Sequence, residues 1–280
     1  MKKGLFCLVL CLVLNVSTSV SYAHCHNHAY LVHKDFYQEE QTFHNCNRHY
    51  VVKETTIYYY SNGTRCSYTY STIFNEDGTV VASNCRDVKH LIYNKKHYFT
   101  FYRNKRYNIM NEEGVIVSTK QYKEMQELAP NKLLVKLDKK FGIIDLNENK
   151  VVPIKYKKFE KIGEDLFLTK LNGYWGMINS SNKTIVKNEY EKISPIYDCY
   201  LLKKYGKYGL TDNKGNIIVE ANCDKIKKLG EYIITKNNGK YGVYDSTGHI
   251  IADNIYKDVR LERNTLEGKL AKKWVSVVEY

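Results

Sequence analysis

The chain has 280 residues, a formal net charge of +13 and 26 tyrosines. That length suffices for a sizeable core, and the wealth of aromatic and β-branched residues excludes a disordered chain, whose composition is poor in both. Tyrosine favours strands and can sit half-buried on a pleated surface with its hydroxyl in water, so many short strands are expected rather than helices.

The amino terminus reads as an export signal. Lys2 and Lys3 precede a ten-residue apolar run, Leu5 to Leu14, and a polar segment ending in Ser21-Tyr22-Ala23. A charged start, a short apolar core and small residues at −3 and −1 make a secretory signal peptide over residues 1–23. The run is shorter than the roughly 20 residues of a membrane span. No later segment reaches that length without charges, so no transmembrane anchor is expected in the mature chain.

Residues 24–55 form a His- and Cys-rich lead-in. It holds His24, His26, His28, His33, His44 and His49, with Cys25 and Cys46 among them. Imidazole is the commonest metal ligand near neutral pH, and clustered His/Cys tracts suggest metal capture. With cleavage after Ala23, the free amine of His24, two backbone amides and the ring of His26 could chelate Cu(II) or Ni(II) in a tetragonal nitrogen set, with His28 beside them. The spacing matches no zinc signature, although Zn(II) remains a candidate. The alternative is a lead-in whose histidines are simply solvated.

Removing the signal leaves Cys25, Cys46, Cys66, Cys85, Cys199 and Cys223. An even count in an oxidising compartment suggests disulfides, and six cysteines allow fifteen pairings. Local pairing as Cys25–Cys46, Cys66–Cys85 and Cys199–Cys223 is the expectation, each bridge contributing about 3 kcal/mol in the chain-entropy account.

From residue 56 to 280 the chain repeats. Ile57-Tyr58-Tyr59-Tyr60, the turn Asn62-Gly63 and Ser71-Thr72-Ile73-Phe74-Asn75 open a first, decayed unit, and Tyr107-Asn108-Ile109-Met110-Asn111 belongs to a second that has lost its glycine. The clear phrase is Phe141-Gly142, then Trp175-Gly176, Tyr208-Gly209 and Tyr241-Gly242, with aromatics 34, 33 and 33 positions apart. Each is followed by an apolar run, a turn near Asp145, Asn179, Asp212 or Asp245, and an Ile/Val pair. Asn172-Gly173 and Asn238-Gly239 between alternating runs are hairpin signals, because both residues tolerate positive φ. A Tyr-x-x-apolar tail follows at Tyr122, Tyr156, Tyr190 and Tyr256, and Cys223 and Cys85 hold the Tyr place in two units. A disulfide anchoring those corners would explain the exchange. Trp274 begins one more hairpin, giving six units and a terminal hairpin.

Each unit is expected to be a three-stranded antiparallel meander of about 33 residues, giving an all-β tandem repeat. The strand glycine should have a packing reason, and a ring from a neighbouring strand lying across it is the expected one. Core packing is favoured over ligand platforms for these aromatics, since one unit cannot bury its apolar face alone. A propeller-like ring is favoured over an open β-solenoid, because a ring removes exposed edges. In that ring Tyr50-Val51-Val52-Lys53 would complete the final hairpin.

The run aromatic-Gly-apolar-x-Asp/Asn, a turn, an Ile/Val pair and Tyr-x-x-apolar resembles the WG repeat (KWG-type) family, over roughly residues 100–280 and more weakly over 56–99. Only Trp175-Gly176 has the eponymous pair. The resemblance implies a β-rich repeat domain of bacterial type without an assigned activity, and it brings no catalytic residues.

No nucleophile elbow, phosphate-binding Gly-rich loop, His-Glu-x-x-His motif or paired carboxylates occur, so no enzyme is expected. Lysine doublets such as Lys139-Lys140, Lys203-Lys204 and Lys227-Lys228 either protect strand edges or form a basic surface for anionic polymers. An exported chain gives nucleic acid little opportunity to be the partner. The expected role is an exported, non-catalytic binding or scaffold protein, in periplasm, at the cell surface or secreted, offering its repeat surface to a protein or an anionic envelope polysaccharide. The alternative is a metal-binding or sensing protein acting through its His-rich segment.

Overall fold

The computed structural model describes residues 31–43 and 46–277, all of them strands, turns or irregular links without a helix. The first sheet has six strands in sequence order: β1 (Leu31–Phe43), β2 (Cys46–Tyr60), β3 (Arg65–Asn75), β4 (Val80–Tyr93), β5 (Lys96–Arg103) and β6 (Arg106–Met110). The second holds β7 (Glu124–Ala129), β8 (Lys132–Leu137), β9 (Lys140–Ile144) and β10 (Lys150–Tyr156). The third holds β11 (Lys158–Lys161), β12 (Phe167–Leu171), β13 (Tyr174–Ile178) and β14 (Thr184–Tyr190). The fourth holds β15 (Lys192–Ile196), β16 (Cys199–Lys204), β17 (Lys207–Asp212) and β18 (Ile217–Cys223). The fifth holds β19 (Lys225–Leu229), β20 (Tyr232–Asn237), β21 (Lys240–Tyr244) and β22 (Ile250–Tyr256). The last has three strands, β23 (Val259–Glu262), β24 (Thr265–Leu270) and β25 (Lys273–Ser276). Every pairing is antiparallel between chain neighbours. Residues 31–43 and 46–55, within the expected lead-in, lie in β1 and β2.

The repeat unit therefore has four strands, not three. Its extra strand is the Tyr-x-x-apolar tail. Tyr156 ends β10 and Phe159 sits in β11, two residues into the next sheet; Tyr190 and Ile193, Cys223 and Ile226, and Tyr256 and Val259 repeat the arrangement. Each pair is buried in one cluster bridging two sheets: Ile143, Val152 and Tyr156 meet Phe159, Phe167 and Ile178, and Val243 and Tyr256 meet Val259 and Leu266. The core is thus a succession of seams, one between each sheet and the next. Apolar burial at each seam supplies the driving force that one sheet alone lacks.

The tight hairpins follow their turn chemistry. Asn172 and Gly173 have φ of 50° and 92°, and Asn238 and Gly239 have 49° and 76°. Positive φ at both central residues matches the turn twist to the strands. At Asn62-Gly63 only the glycine has positive φ, 79°, within a wider loop closed by the Tyr60 N–H donating to the Thr64 carbonyl at 2.9 Å. On the opposite side of the second, fourth and fifth units a carboxylate closes the loop, and in the third the Asn179 amide oxygen takes that role, accepting from the Ser181 and Lys183 N–H groups. The Asp212 carboxylate accepts from the Lys214 and Asn216 N–H groups, both at 2.8 Å, and Asp145 and Asp245 do the same in their units.

The strand glycines have a different purpose from the one expected. A Cβ at Gly176 would lie 2.6 Å from the Val186 carbonyl oxygen and 2.7 Å from the Asn188 nitrogen. Gly142 and Gly209 meet the backbone of β10 and β18 at 2.7 Å. What lies across these glycines is the fourth strand, which bulges there: Trp175 pairs with Tyr190 and Met177 with Val186, so three residues face Gly176 alone. A ring does cover a glycine in the last sheet, where a Cβ at Gly268 would be 2.3 Å from the Tyr256 ring. There the glycine has moved to β24, opposite Val275, which takes the place after the aromatic.

Two further expectations are corrected. Tyr50 to Lys53 pair with β1 on one side and β3 on the other, so they have no free edge with which to complete the last hairpin. Among the described residues no strand of the first sheet pairs with β23, β24 or β25. Cys85, Cys199 and Cys223 are buried free thiols, so the pairings Cys66–Cys85 and Cys199–Cys223 are not formed. Cys85 and Cys223 fill the Tyr position as small apolar residues inside their clusters. The pairing Cys25–Cys46 lies outside the described side chains.

Candidate binding surface

The fixed register aligns one residue of each strand into a row across every sheet. In the third sheet the row is Lys158, Lys170, Trp175 and Tyr190. In the fourth it is Lys192, Lys203, Tyr208 and Cys223, and in the fifth Lys225, Lys236, Tyr241 and Tyr256. The second sheet differs at its first place, with Glu124, Lys136, Phe141 and Tyr156. The repeat aromatics Phe141, Trp175, Tyr208 and Tyr241 thus occupy one structural position, half-buried, beside the buried Gly142, Gly176, Gly209 and Gly242.

A lysine covers most of these rings. The ammonium of Lys136 lies 4.9 Å from the centre of Phe141, that of Lys170 5.2 Å from Trp175, that of Lys236 5.1 Å from Tyr241 and that of Lys269 5.6 Å from Trp274. The ring quadrupole attracts the charge, by about 0.5–1 kcal/mol at exposed sites. Lys203 instead reaches toward Glu191, with 3.7 Å between charged atoms.

Lysines opposite lysines are the unusual feature. Lys158 faces Lys170, Lys192 faces Lys203, and Lys225 faces Lys236. Like charges directly opposite each other destabilise a sheet. In the second sheet the same place is neutralised, with Lys136 Nζ 2.5 Å from the Glu124 carboxylate.

Two clefts open along these rows between neighbouring sheets. One, of about 260 Å³, is lined by Tyr107, Lys123, Glu124, Gln126, Leu134 and Phe141. The other, of about 360 Å³, is lined by Lys192, Ser194, Lys203, Tyr208 and Lys225, with Leu201 and Ile226 as its apolar wall. Glu124 and Lys192, Gln126 and Ser194, Leu134 and Leu201, and Phe141 and Tyr208 are equivalent repeat positions. A third cavity, about 510 Å³, is acidic instead, lined by His49, Asn75, Glu76, Asp77, Glu112 and Glu113.

Of the metal candidates, His24, His26 and His28 lie outside the described residues. Among the described residues no group of three His, Cys, Asp or Glu side chains is placed to hold a metal ion. The repeat cysteines are shielded: burial pushes the thiols of Cys85 and Cys199 up to about 11, with Asp212, Asp245 and Asp198 adding to the rise at Cys199. Burial also raises Cys223. Two histidines that sequence reasoning passed over are paired, His90 Nε2 lying 2.8 Å from His97 Nδ1 across β4 and β5. Burial, and then His97, hold the pKa of His90 below its ordinary value. Lys192 and Lys225 were not singled out by sequence reasoning, and Lys203 only as part of a doublet; their mutual approach depends on strand register, for which the doublets gave no signal.

Comparison with known proteins gives one family. The model for the WG containing repeat matches residues 141–175, 175–208 and 208–241. No curated protein matches. Solved structures show only distant likeness. KlHsv2 with loop 6CD replaced by a Gly-Ser linker is 9% identical over 80% of this chain and 86% of its own, with a TM-score of 0.29. An extracellular domain of BT4673 from B. thetaiotaomicron is 10% identical over 91% of this chain but 39% of its own, with a TM-score of 0.25. The AfRom2 CNH domain is 8% identical over 90% and 98%, with a TM-score of 0.26. Likeness at that level assigns no role.

Proposed function

Residues 141–241 are three tandem repeats of the WG family, and from such an array we propose an exported, non-catalytic scaffold that holds an anionic polysaccharide on its lysine–aromatic rows. The observation that carries this reading is the succession of lysines facing lysines across the third, fourth and fifth sheets. Such an arrangement stores repulsion that a polyanion would relieve. The neighbouring rings offer flat apolar faces suited to sugar rings. The buried thiols, each with a raised pKa, are poor nucleophiles, which supports a non-catalytic role.

Export rests on the signal-peptide pattern of residues 1–23. Among the described residues no helix is long and apolar enough to cross a membrane. Affinity electrophoresis in gels containing dextran sulfate, polygalacturonate or neutral dextran tests the binding role. The two charged polymers should retard the protein, and retardation should fade as ionic strength rises from about 0.05 to about 0.5 M, where screening shortens to a few ångströms. Equal mobility in all three gels would end the proposal.

A further inference from the structure

We infer that the cleft between the fourth and fifth sheets, bounded by Lys192, Lys203, Lys225 and Tyr208, is a subsite for one sugar unit bearing an oxyanion, a carboxylate or a sulfate ester. The inference rests on the polysaccharide reading above and locates its strongest point. The cleft has a volume of about 360 Å³, the size of a small ligand site. Its lining combines three ammonium groups, the Ser194 hydroxyl and the Tyr208 ring, with no carboxylate among them. Nearby acids are engaged elsewhere. Asp224 accepts from Lys207 Nζ at 2.6 Å and from the Asn238 N–H at 3.1 Å, and Glu189 holds Lys204 at 2.9 Å. Glu191 lies 3.7 Å from Lys203, beyond hydrogen-bond range. Lys203 is thus partly balanced by Glu191, while Lys192 and Lys225 have no ion-pair partner among the described residues, and the site keeps a positive excess beside an apolar wall of Leu201 and Ile226.

The chain contains its own control. In the second sheet Glu124 takes the repeat position of Lys192 and pairs with Lys136 at 2.5 Å. The cleft beside it is closed by Tyr107 of the preceding sheet, whereas this one is closed by Lys225 and Ile226 of the following sheet. What the two rows share is the strand register, and a single exchange at the first row position separates a self-neutralised row from one with lysine facing lysine. An oxyanion between Lys192 and Lys203 would take the place that the Glu124 carboxylate fills upstream, and the sugar carrying it would lie against Tyr208.

Isothermal titration of the full chain tests this, using an oligogalacturonate, a dextran sulfate oligosaccharide, a neutral dextran of equal length and sodium sulfate. Either charged oligosaccharide should bind this cleft with one unit per chain, the neutral sugar should not bind, and sulfate alone should be at least tenfold weaker. Lys192→Glu should weaken binding at least tenfold. Its urea midpoint should stay unchanged, because the Glu124–Lys136 pair shows that the sheet accommodates the exchange. Lys183→Glu, the same charge change on an exposed turn, should alter affinity less than twofold. If Lys192→Glu behaves like Lys183→Glu, or if sulfate alone matches the oligosaccharides, the subsite is wrong although binding along the rows can stand. If no charged sugar binds the wild-type chain, both readings fall together.

Discussion

The side-chain amide of Asn188 on β14 donates to the carbonyl oxygen of Thr169 on β12 at 2.9 Å, reaching across the backbone of Gly176. It lies 3.2 Å from the Thr169 hydroxyl as well, and Thr169 is fully buried. Two strands that are not neighbours in the ladder are tied together over the one between them. Asn254 repeats the contact to Thr235 over Gly242, while the second and fourth sheets place Ile154 and Ala221 against Gly142 and Gly209 instead. Polar and apolar versions of one corner thus alternate along the array.

The tie should be measurable. Asn188→Ala removes the donor from a buried hydroxyl and carbonyl, and a loss of about 1–3 kcal/mol is expected. Thr169→Val in the Asn188→Ala background should cost less than it does in the wild type, a coupling of at least about 0.5 kcal/mol. Urea denaturation of the four proteins reads both values. Strict additivity would show that the Asn188–hydroxyl contact contributes nothing of its own, since Thr169→Val leaves the bond to the Thr169 carbonyl in place.

The glycines should differ in sensitivity. At Gly176 a new Cβ meets backbone at 2.6 to 2.8 Å, which cannot yield, so Gly176→Ala should destabilise by about 2–3 kcal/mol. At Gly242 the nearest atoms are the side-chain oxygens of Asn254 and Thr235 at 3.0 Å, so Gly242→Ala should cost about 1 kcal/mol. Thermal unfolding of the two variants checks the order, and a reversal would contradict the backbone-approach account.

Acid should loosen the loop that Asp212 closes. Burial pushes its carboxyl up, but hydrogen bonds from the Asn216 side chain and from the N–H groups of Asn216, Lys214 and Gly215 outweigh burial and leave it below its ordinary value. A depressed folded-state pKa gives stability that is present above the unfolded value, about 3.9, and lost as pH falls through the folded value. Melting temperature followed from pH 6 down to about pH 2 should therefore fall in the acid range. Asp212→Asn should flatten part of that fall; an unchanged slope would show that this loop carries none of it.

The free thiols should be silent until the chain opens. Cys85, Cys199 and Cys223 are buried, and the first two titrate near 11, so little thiolate is present at neutral pH. Alkylation followed by mass spectrometry should leave all three unmodified in the native protein and modify all three in urea. Rapid native labelling of Cys223 would show that its seam opens readily.

The repeat was legible because its turns and glycines leave marks that other residues cannot replace. Positive φ at Asn172-Gly173 and a backbone approach at Gly176 both restrict the side chain, so period and hairpins could be read directly. The extra strand that opens each sheet, such as β11, was hidden because Tyr156 ends one sheet and Lys158 begins the next with only Lys157 between, leaving no turn residue to announce the break. Cysteine at the Tyr position suggested a bridge, yet a buried thiol fills the same space without one. The Lys192 cleft was invisible for a geometric reason: Lys192, Lys203 and Lys225 meet only once β15 pairs with β16 in one register and the next sheet stacks beside them.

Val275 also decides which strands can pair with β25. Strands shaped like β10 or β14 need a glycine beneath their three-residue bulge, and β25 presents a branched side chain there. Only a strand carrying a smaller bulge, of the kind β4 makes over Thr72, would fit that border. A strand bulged like β10 or β14, laid alongside β25, would meet the Val275 side chain where its siblings find a glycine.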